Sequence, residues 1–183
     1  MPRRVSRAAV VAAVAALPRD RTTWVGVDGF GGAGKTTLAD ELAAAVRGAV
    51  VVHVDDFARP ALAEWDWDRF AAQLAEPLLA GRPARYQAWD WGRDAGGEWV
   101  DVPPGRLVVV EGVSCTRAEV RLPWDLTIWV DAPRDVRLQR ALERDGPDMM
   151  SRWLDDWMPS EEAYAARERP QERVDLIVDG TAR

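Results

Sequence analysis

The 183-residue chain has no asparagine, one lysine, one cysteine and one histidine. The lone Cys115 excludes an internal disulfide and suits a reducing compartment. Without asparagine or a second lysine, the Asn-Lys-x-Asp element by which GTP-dependent switches read guanine is excluded. No apolar run is long enough to cross a bilayer. A net charge of −6 argues against a nucleic-acid backbone as the main partner. What remains is a globular composition, 48% hydrophobic and 30% charged, on a chain of one-domain length.

The first twenty residues carry two readings. Arg3-Arg4 ahead of the apolar run 8–17 has the outline of a secretion signal. The alanine content favours an N-terminal helix over 1–20 that Pro18 ends, and on that reading the protein is cytoplasmic.

Of the 24 lysines and arginines, all but Lys35 are arginine. A planar guanidinium does not replace a compact ammonium reaching along phosphates, so the lysine stands where substitution is least tolerated. It lies in Gly29-Phe30-Gly31-Gly32-Ala33-Gly34-Lys35-Thr36, which matches the phosphate-binding pattern G-x-x-x-x-G-K-[ST]. Gly29, Gly31, Gly32, Ala33, Gly34, Lys35, Thr36 and Thr37 are therefore expected to hold a nucleoside triphosphate, read as ATP. Backbone N–H groups cradle the phosphates, Lys35 reaches the β- and γ-phosphates, and the Thr36 hydroxyl holds Mg²⁺.

Apolar runs at 23–28, 50–54, 107–110, 126–130 and 174–178 read as buried strands. They alternate with helical patterns at 36–47, 68–80, 134–144, 149–157 and 161–169. This order predicts one α/β domain over 1–183, a five-stranded parallel sheet covered by helices on both faces. Ligands of such sheets sit beyond the carboxyl ends of the strands, where the glycine loop, Asp55 and Glu111 fall.

Asp55 is the candidate general base, and it or Glu111 could support Mg²⁺. Asp56 reads as a turn residue and Asp131 as a helix cap. Arg134, Arg137, Arg140 and Arg144 recur at helical spacing and share a face. Of these, Arg137, Arg140 and Arg144 are the candidates for stabilising a transferring phosphoryl group, in a lid region over 134–169. The segment 58–104 is rich in tryptophan and aspartate, with a hairpin or ordered loop around Gly96-Gly97. Taken singly its tryptophans read as packing; as a group, Trp65, Asp66, Tyr86 and Trp89 suggest an acceptor pocket. His53, inside a strand, reads as a core residue.

These motifs together resemble the uridine/cytidine kinase branch of P-loop kinases. The resemblance rests on 27–37, on His53-Val54-Asp55-Asp56-Phe57, on Val109-Val110-Glu111-Gly112 and on 130–138. It implies a nucleoside-monophosphate-kinase-like fold with sheet order 2-3-1-4-5 and a mobile lid. It also implies Asp55 as general base, Asp66 on the ribose, Tyr86 beside the base and Arg144 in the lid. The chain departs from the family's pattern at Ala58, in having no second histidine, and in its short lid segment 146–152. The expectation is Mg·ATP-dependent phosphorylation of a nucleoside 5′-hydroxyl. The alternatives are a nucleoside monophosphate or another small alcohol as acceptor, or an ATP-hydrolysing regulator. Neither the donor base nor the oligomeric state is readable from these residues.

Overall fold

The computed structural model describes residues 1–59 and 65–182. Residues 60–64 of the expected acceptor-side segment lie outside that description. The chain opens with strand β1 (Arg3–Val5) and helix α1 (Arg7–Ala15), followed by β2 (Thr23–Gly29) and α2 (Lys35–Ala45). Strand β3 (Val50–His53) runs into a 3-10 turn, Val54–Phe57. A helical path then joins α3 (Trp67–Phe70), a π turn at Ala71–Ala75 and α4 (Glu76–Leu79). Strands β4 (Ala84–Asp90) and β5 (Ala95–Val102) pair antiparallel as a separate hairpin. Its turn falls at 91–94, and Gly96 and Gly97 lie inside β5.

Strands β6 (Leu107–Glu111) and β7 (Leu126–Asp131) return to the main sheet. Helix α5 (Arg134–Asp145), a 3-10 turn at Pro147–Met149 and a π turn at Arg152–Trp157 lead to α6 (Met158–Glu168). Helix α7 (Pro170–Arg173) and β8 (Leu176–Asp179) close the fold.

The main sheet is parallel throughout, in the order β1-β8-β7-β2-β6-β3. Read from the β3 edge, the five expected strands stand in the order 2-3-1-4-5. A sixth strand, β1, corrects the expected count. It sits at the edge beyond β8, with Arg3 opposite Leu176 and Val5 opposite Val178. The N-terminal helix is correspondingly shorter than 1–20: Ser6 ends the strand, and its hydroxyl accepts from the Ala9 N–H at 3.2 Å, capping α1.

Alternation along the strands divides the core in two. Val25, Val27, Val109, Ile128, Val130 and Val178 face α1 and α2, meeting Val10, Val14, Leu38 and Leu42. Trp24, Val52, Val108 and Val110 point to the opposite face, toward Phe57, Phe70, Leu74 and Tyr86. Burying each such side chain contributes roughly 1.5–3 kcal/mol. Both faces are sealed, so access is left at the strand ends, where β2, β3 and β6 deliver the glycine loop, Asp55 and Glu111.

Candidate functional site

Two glycines fix the path of the loop. Gly29 has φ +143°, and a Cβ there would lie 2.4 Å from the Val130 carbonyl oxygen of β7. Gly32 has φ +73°, and a Cβ there would lie 2.3 Å from the Arg137 carbonyl oxygen of α5. The loop is thus pressed against β7 and α5, in a conformation only glycine adopts without strain. Lys35 opens α2 with 8% of its surface exposed, and its Nζ donates to the Phe30 carbonyl at 3.0 Å across the loop.

Strand register sets the acids around it. Glu111 stands beside Val27 of β2 on one side and His53 of β3 on the other. The Thr36 hydroxyl donates to Glu111 Oε1 at 3.0 Å, and His53 Nδ1 lies 2.6 Å from the same oxygen. Burial opposes charge on Glu111, but the His53 bond, Lys35 and Thr36 outweigh it and hold its pKa below the usual range. The Glu111 bond in turn raises the His53 pKa, against burial. His53 is half-buried and tied to the site, where the sequence suggested a core histidine.

Asp55, in the turn after β3, keeps surface open to solvent and lies within the fields of Lys35, Glu111, His53 and Arg144. Crowding by protein strips its hydration and raises its pKa; Lys35 opposes this and Glu111 adds to it. Asp56 turns the other way, accepting from the Tyr86 hydroxyl at 2.9 Å.

Thr36 and Glu111, hydrogen-bonded to each other, and Asp55 within the field of Glu111 carry oxygen donors of the kind Mg²⁺ takes. Among the described residues no group of three or more His, Cys, Asp or Glu is placed to hold a metal unaided. A cation held here would draw its remaining ligands from phosphates and water, as Mg²⁺ commonly does.

The arginines of α5 separate along the loop. Arg134 pairs with Glu162 at 3.1 Å. Arg137 is buried, with its guanidinium 4.2 Å from the Phe30 ring centroid and Nη1 3.8 Å from Glu161. Arg140 donates to the carbonyls of Gly32 at 3.4 Å and Gly180 at 3.1 Å. Arg144 bonds Asp145 at 2.6 Å and feels the charges of Asp55 and Glu111. It is the arginine of this helix electrostatically coupled to the cleft carboxylates.

The expected acceptor residues are spread over the neighbouring lobe. Trp65 donates through its indole to the Val113 carbonyl at 3.1 Å. Asp66 caps α3, accepting from Arg69 N–H at 3.0 Å, and pairs with Arg59 at 3.2 Å. Tyr86 is buried against Phe57, with ring centroids 4.9 Å apart. Trp89 is part-buried in β4.

The AAA domain family matches residues 25–169, which contain the loop, the acids and the arginine helix. The chain belongs to the AAA domain family. Curated relatives of this AAA domain include a uridine kinase of Halobacterium salinarum, 27% identical over 84% of this chain and 78% of the relative. Another is a uridine kinase of Borrelia turicatae, 25% identical over 66% of each chain. The match thus spans about two thirds of that relative's length. Among solved structures, a possible uridine kinase from Bacillus stearothermophilus superposes with a TM-score of 0.73. That likeness covers 94% of this chain and 97% of the other, at 22% identity.

Three features of this AAA domain were not read from sequence. Asp28 is fully buried and accepts five hydrogen bonds: from Gly29 N–H, Ser114 N–H, Thr116 N–H, the Thr116 hydroxyl and the Tyr164 hydroxyl. It ties the base of the loop to α6. Glu161, also from α6, accepts from the Gly31 N–H at 2.9 Å. Finally, a cavity of about 530 Å³ opens beside Gly34 and Thr37, lined also by Arg7, Glu41, Arg140 and 180–182.

Proposed function

We propose that this chain transfers the γ-phosphoryl group of Mg·ATP to a hydroxyl of a small acceptor, the 5′-hydroxyl of a nucleoside being the leading candidate. The observation that carries the reading is the convergence of Thr36, Glu111, Lys35 and Asp55 at the carboxyl ends of β2, β3 and β6. In this reading the loop N–H groups and Lys35 hold the triphosphate. Thr36 and Glu111 hold Mg²⁺, with His53 fixing the orientation of the Glu111 carboxylate. Bound there, the cation supplies charge neutralisation on the phosphates.

Asp55 then accepts the proton of the acceptor hydroxyl as its oxygen bonds to the γ-phosphorus, while the bond from that phosphorus to the β,γ-bridging oxygen breaks and ADP leaves. A carboxyl whose pKa is raised above the ordinary aspartate value is the better proton acceptor. Arg144 stands where charge builds on the transferring group. The cavity beside Thr37 takes the nucleoside end of the donor, and the lobe of Asp66, Tyr86 and Trp89 takes the acceptor.

The nucleoside acceptor is supported by the uridine kinases among the relatives. One observation favours a second reading, a different small alcohol. Asp66, the residue that the family resemblance assigns to ribose, is committed to Arg59, Arg69 and the cap of α3.

The test is ADP production from Mg·ATP against a panel of nucleosides, nucleotides and small alcohols, with Asp55→Asn as control. ADP released only with one class of acceptor, and lost in the variant, supports transfer and names the acceptor. Slow ADP release indifferent to acceptor and to the substitution overturns the kinase reading and leaves an ATP-hydrolysing regulator.

A further inference from the structure

We infer that the N-terminal strand and helix belong to the donor site, with Arg7 as the residue that grips the nucleotide base. The inference rests on the nucleotide-binding part of the proposal above, and not on phosphoryl transfer.

The placement follows from strand direction. Parallel strands bring their carboxyl ends to one edge of the sheet, the edge that holds ligands. Strand β1 runs parallel to β8, with Val5 opposite Val178, so the chain leaves β1 at that edge. Ser6 turns it into α1, and Arg7 is the first residue of the helix. A three-residue edge strand thereby delivers one arginine to the level of the phosphate loop. Both Arg7 and 180–182 lie outside the family match at 25–169.

The cavity is on the correct side of the loop. Consecutive helix residues diverge by about 100°. Thr36 points to Glu111, at the transferring end, while Thr37 lines the cavity. A triphosphate laid along the loop therefore has its γ-phosphate toward Asp55 and its nucleoside end toward Thr37. The volume of about 530 Å³ is in the range of small-ligand pockets.

The chemistry of the lining suits a flat aromatic ligand. Arg7 Nε donates to Glu41 at 3.2 Å and Nη1 donates to the Ala182 carbonyl at 3.4 Å, which hold the guanidinium in one orientation. Its Nη2 is buried with no hydrogen-bond partner. Arg140 lines the same cavity, held by the Gly180 and Gly32 carbonyls. Guanidinium planes pack on aromatic faces, and every nucleotide base offers one. Arg7 is largely covered while its partner Glu41 is open to solvent, and an ion pair wetted on one side adds little to stability by itself. The buried Nη2 is closed to a ligand; what Arg7 offers the cavity is a guanidinium held in one orientation by Glu41 and Ala182 beside the phosphate loop, a preorganised surface for a flat ring.

The experiment is calorimetric titration with ATP and, separately, with inorganic tripolyphosphate, in the presence of Mg²⁺. Tripolyphosphate meets the loop but has no base, so it reports the integrity of fold and loop in each variant. Arg7→Met, which keeps the stem and removes the guanidinium, should weaken ATP about tenfold. It should leave tripolyphosphate within about twofold of the parent chain. Arg7→Lys should not restore ATP affinity, because a lysine lacks the planar face. Glu41→Gln, which loosens Arg7 from α2, should weaken ATP by a smaller factor.

Unchanged ATP affinity in Arg7→Met overturns the inference. So does an equal loss for ATP and tripolyphosphate, which would make Arg7 a support of the fold. If the parent chain binds ATP selectively but transfers no phosphoryl group, the kinase reading fails and this one stands. If it binds neither ligand, both fail.

Discussion

The Gly31 N–H donates to Glu161 Oε2 at 2.9 Å, which lays a buried carboxylate from α6 against the glycine loop. Burial raises the Glu161 pKa, while Lys35, the Gly31 bond and Arg137 oppose that rise. Under the proposed function, this carboxylate and the terminal phosphate compete for the same positive field. Two unit charges about 8 Å apart at an effective dielectric of about 20 repel by about 2 kcal/mol. Glu161→Gln keeps an acceptor for Gly31 and removes the charge. It should therefore bind Mg·ATP about tenfold or more tightly, as read by calorimetry. Unchanged or weaker binding would show that Glu161 acts only as a strut for the loop.

Asp55 combines a raised pKa with the role of proton acceptor. The sign follows: a carboxyl whose folded pKa exceeds its unfolded value favours the folded state while protonated. That advantage is lost as pH rises through the folded pKa. Asp55→Asn should thus lose about 10²- to 10⁴-fold in kcat and show an equal or higher Tm at neutral pH. For the parent chain, the acid limb of kcat/KM should lie above the ordinary aspartate range of about 4. A pH-independent rate between 4 and 7 would remove Asp55 from proton transfer.

Glu111 and His53 separate direct from indirect support of Mg²⁺. Glu111→Gln should raise the Mg²⁺ concentration for half-maximal activity by at least about tenfold, as expected for a lost ligand or its water partner. His53→Ala, which frees the Glu111 carboxylate to rotate, should raise it by about tenfold with kcat at saturating Mg²⁺ largely kept. Equal kcat loss in both variants at every Mg²⁺ concentration would count against His53 as a positioning residue.

Tyr164→Phe removes one of the five donors to buried Asp28. The cost expected for weakening the solvation of a buried carboxylate is about 1–3 kcal/mol in urea unfolding. A larger effect on ATP affinity than on stability would mean that the Tyr164–Asp28 contact governs loop geometry more than folding.

Much of this architecture was legible in the sequence because its strands are apolar runs and its loop is a glycine motif of fixed spacing. β1 was not, since Arg3-Arg4-Val5 carries no hydrophobic run; it is a short, exposed edge strand recruited by pairing with β8. The hairpin was visible but its turn was misplaced, because Gly96 and Gly97 sit inside β5, where a β-bulge disturbs the pairing. Asp28 stood in plain view beside Gly29. Its role depends on Ser114, Thr116 and Tyr164, the last 136 positions away, and no local pattern encodes that. Glu161 was hidden for the same reason, 130 positions from Gly31. The spacing of the α5 arginines predicted a shared face. It did not predict that Arg137 would be buried under Phe30 while Arg144 felt the cleft.

Lys35 supplies the only side-chain amine in the chain, and it is buried to 8% exposure with its Nζ bonded across the loop to Phe30. Amine-directed acylating reagents therefore find a single side-chain target, and it sits in the phosphate loop itself. Under the proposed function, triphosphate in that loop should slow acylation of Lys35, followed at that residue by peptide mapping so that the α-amine does not contribute.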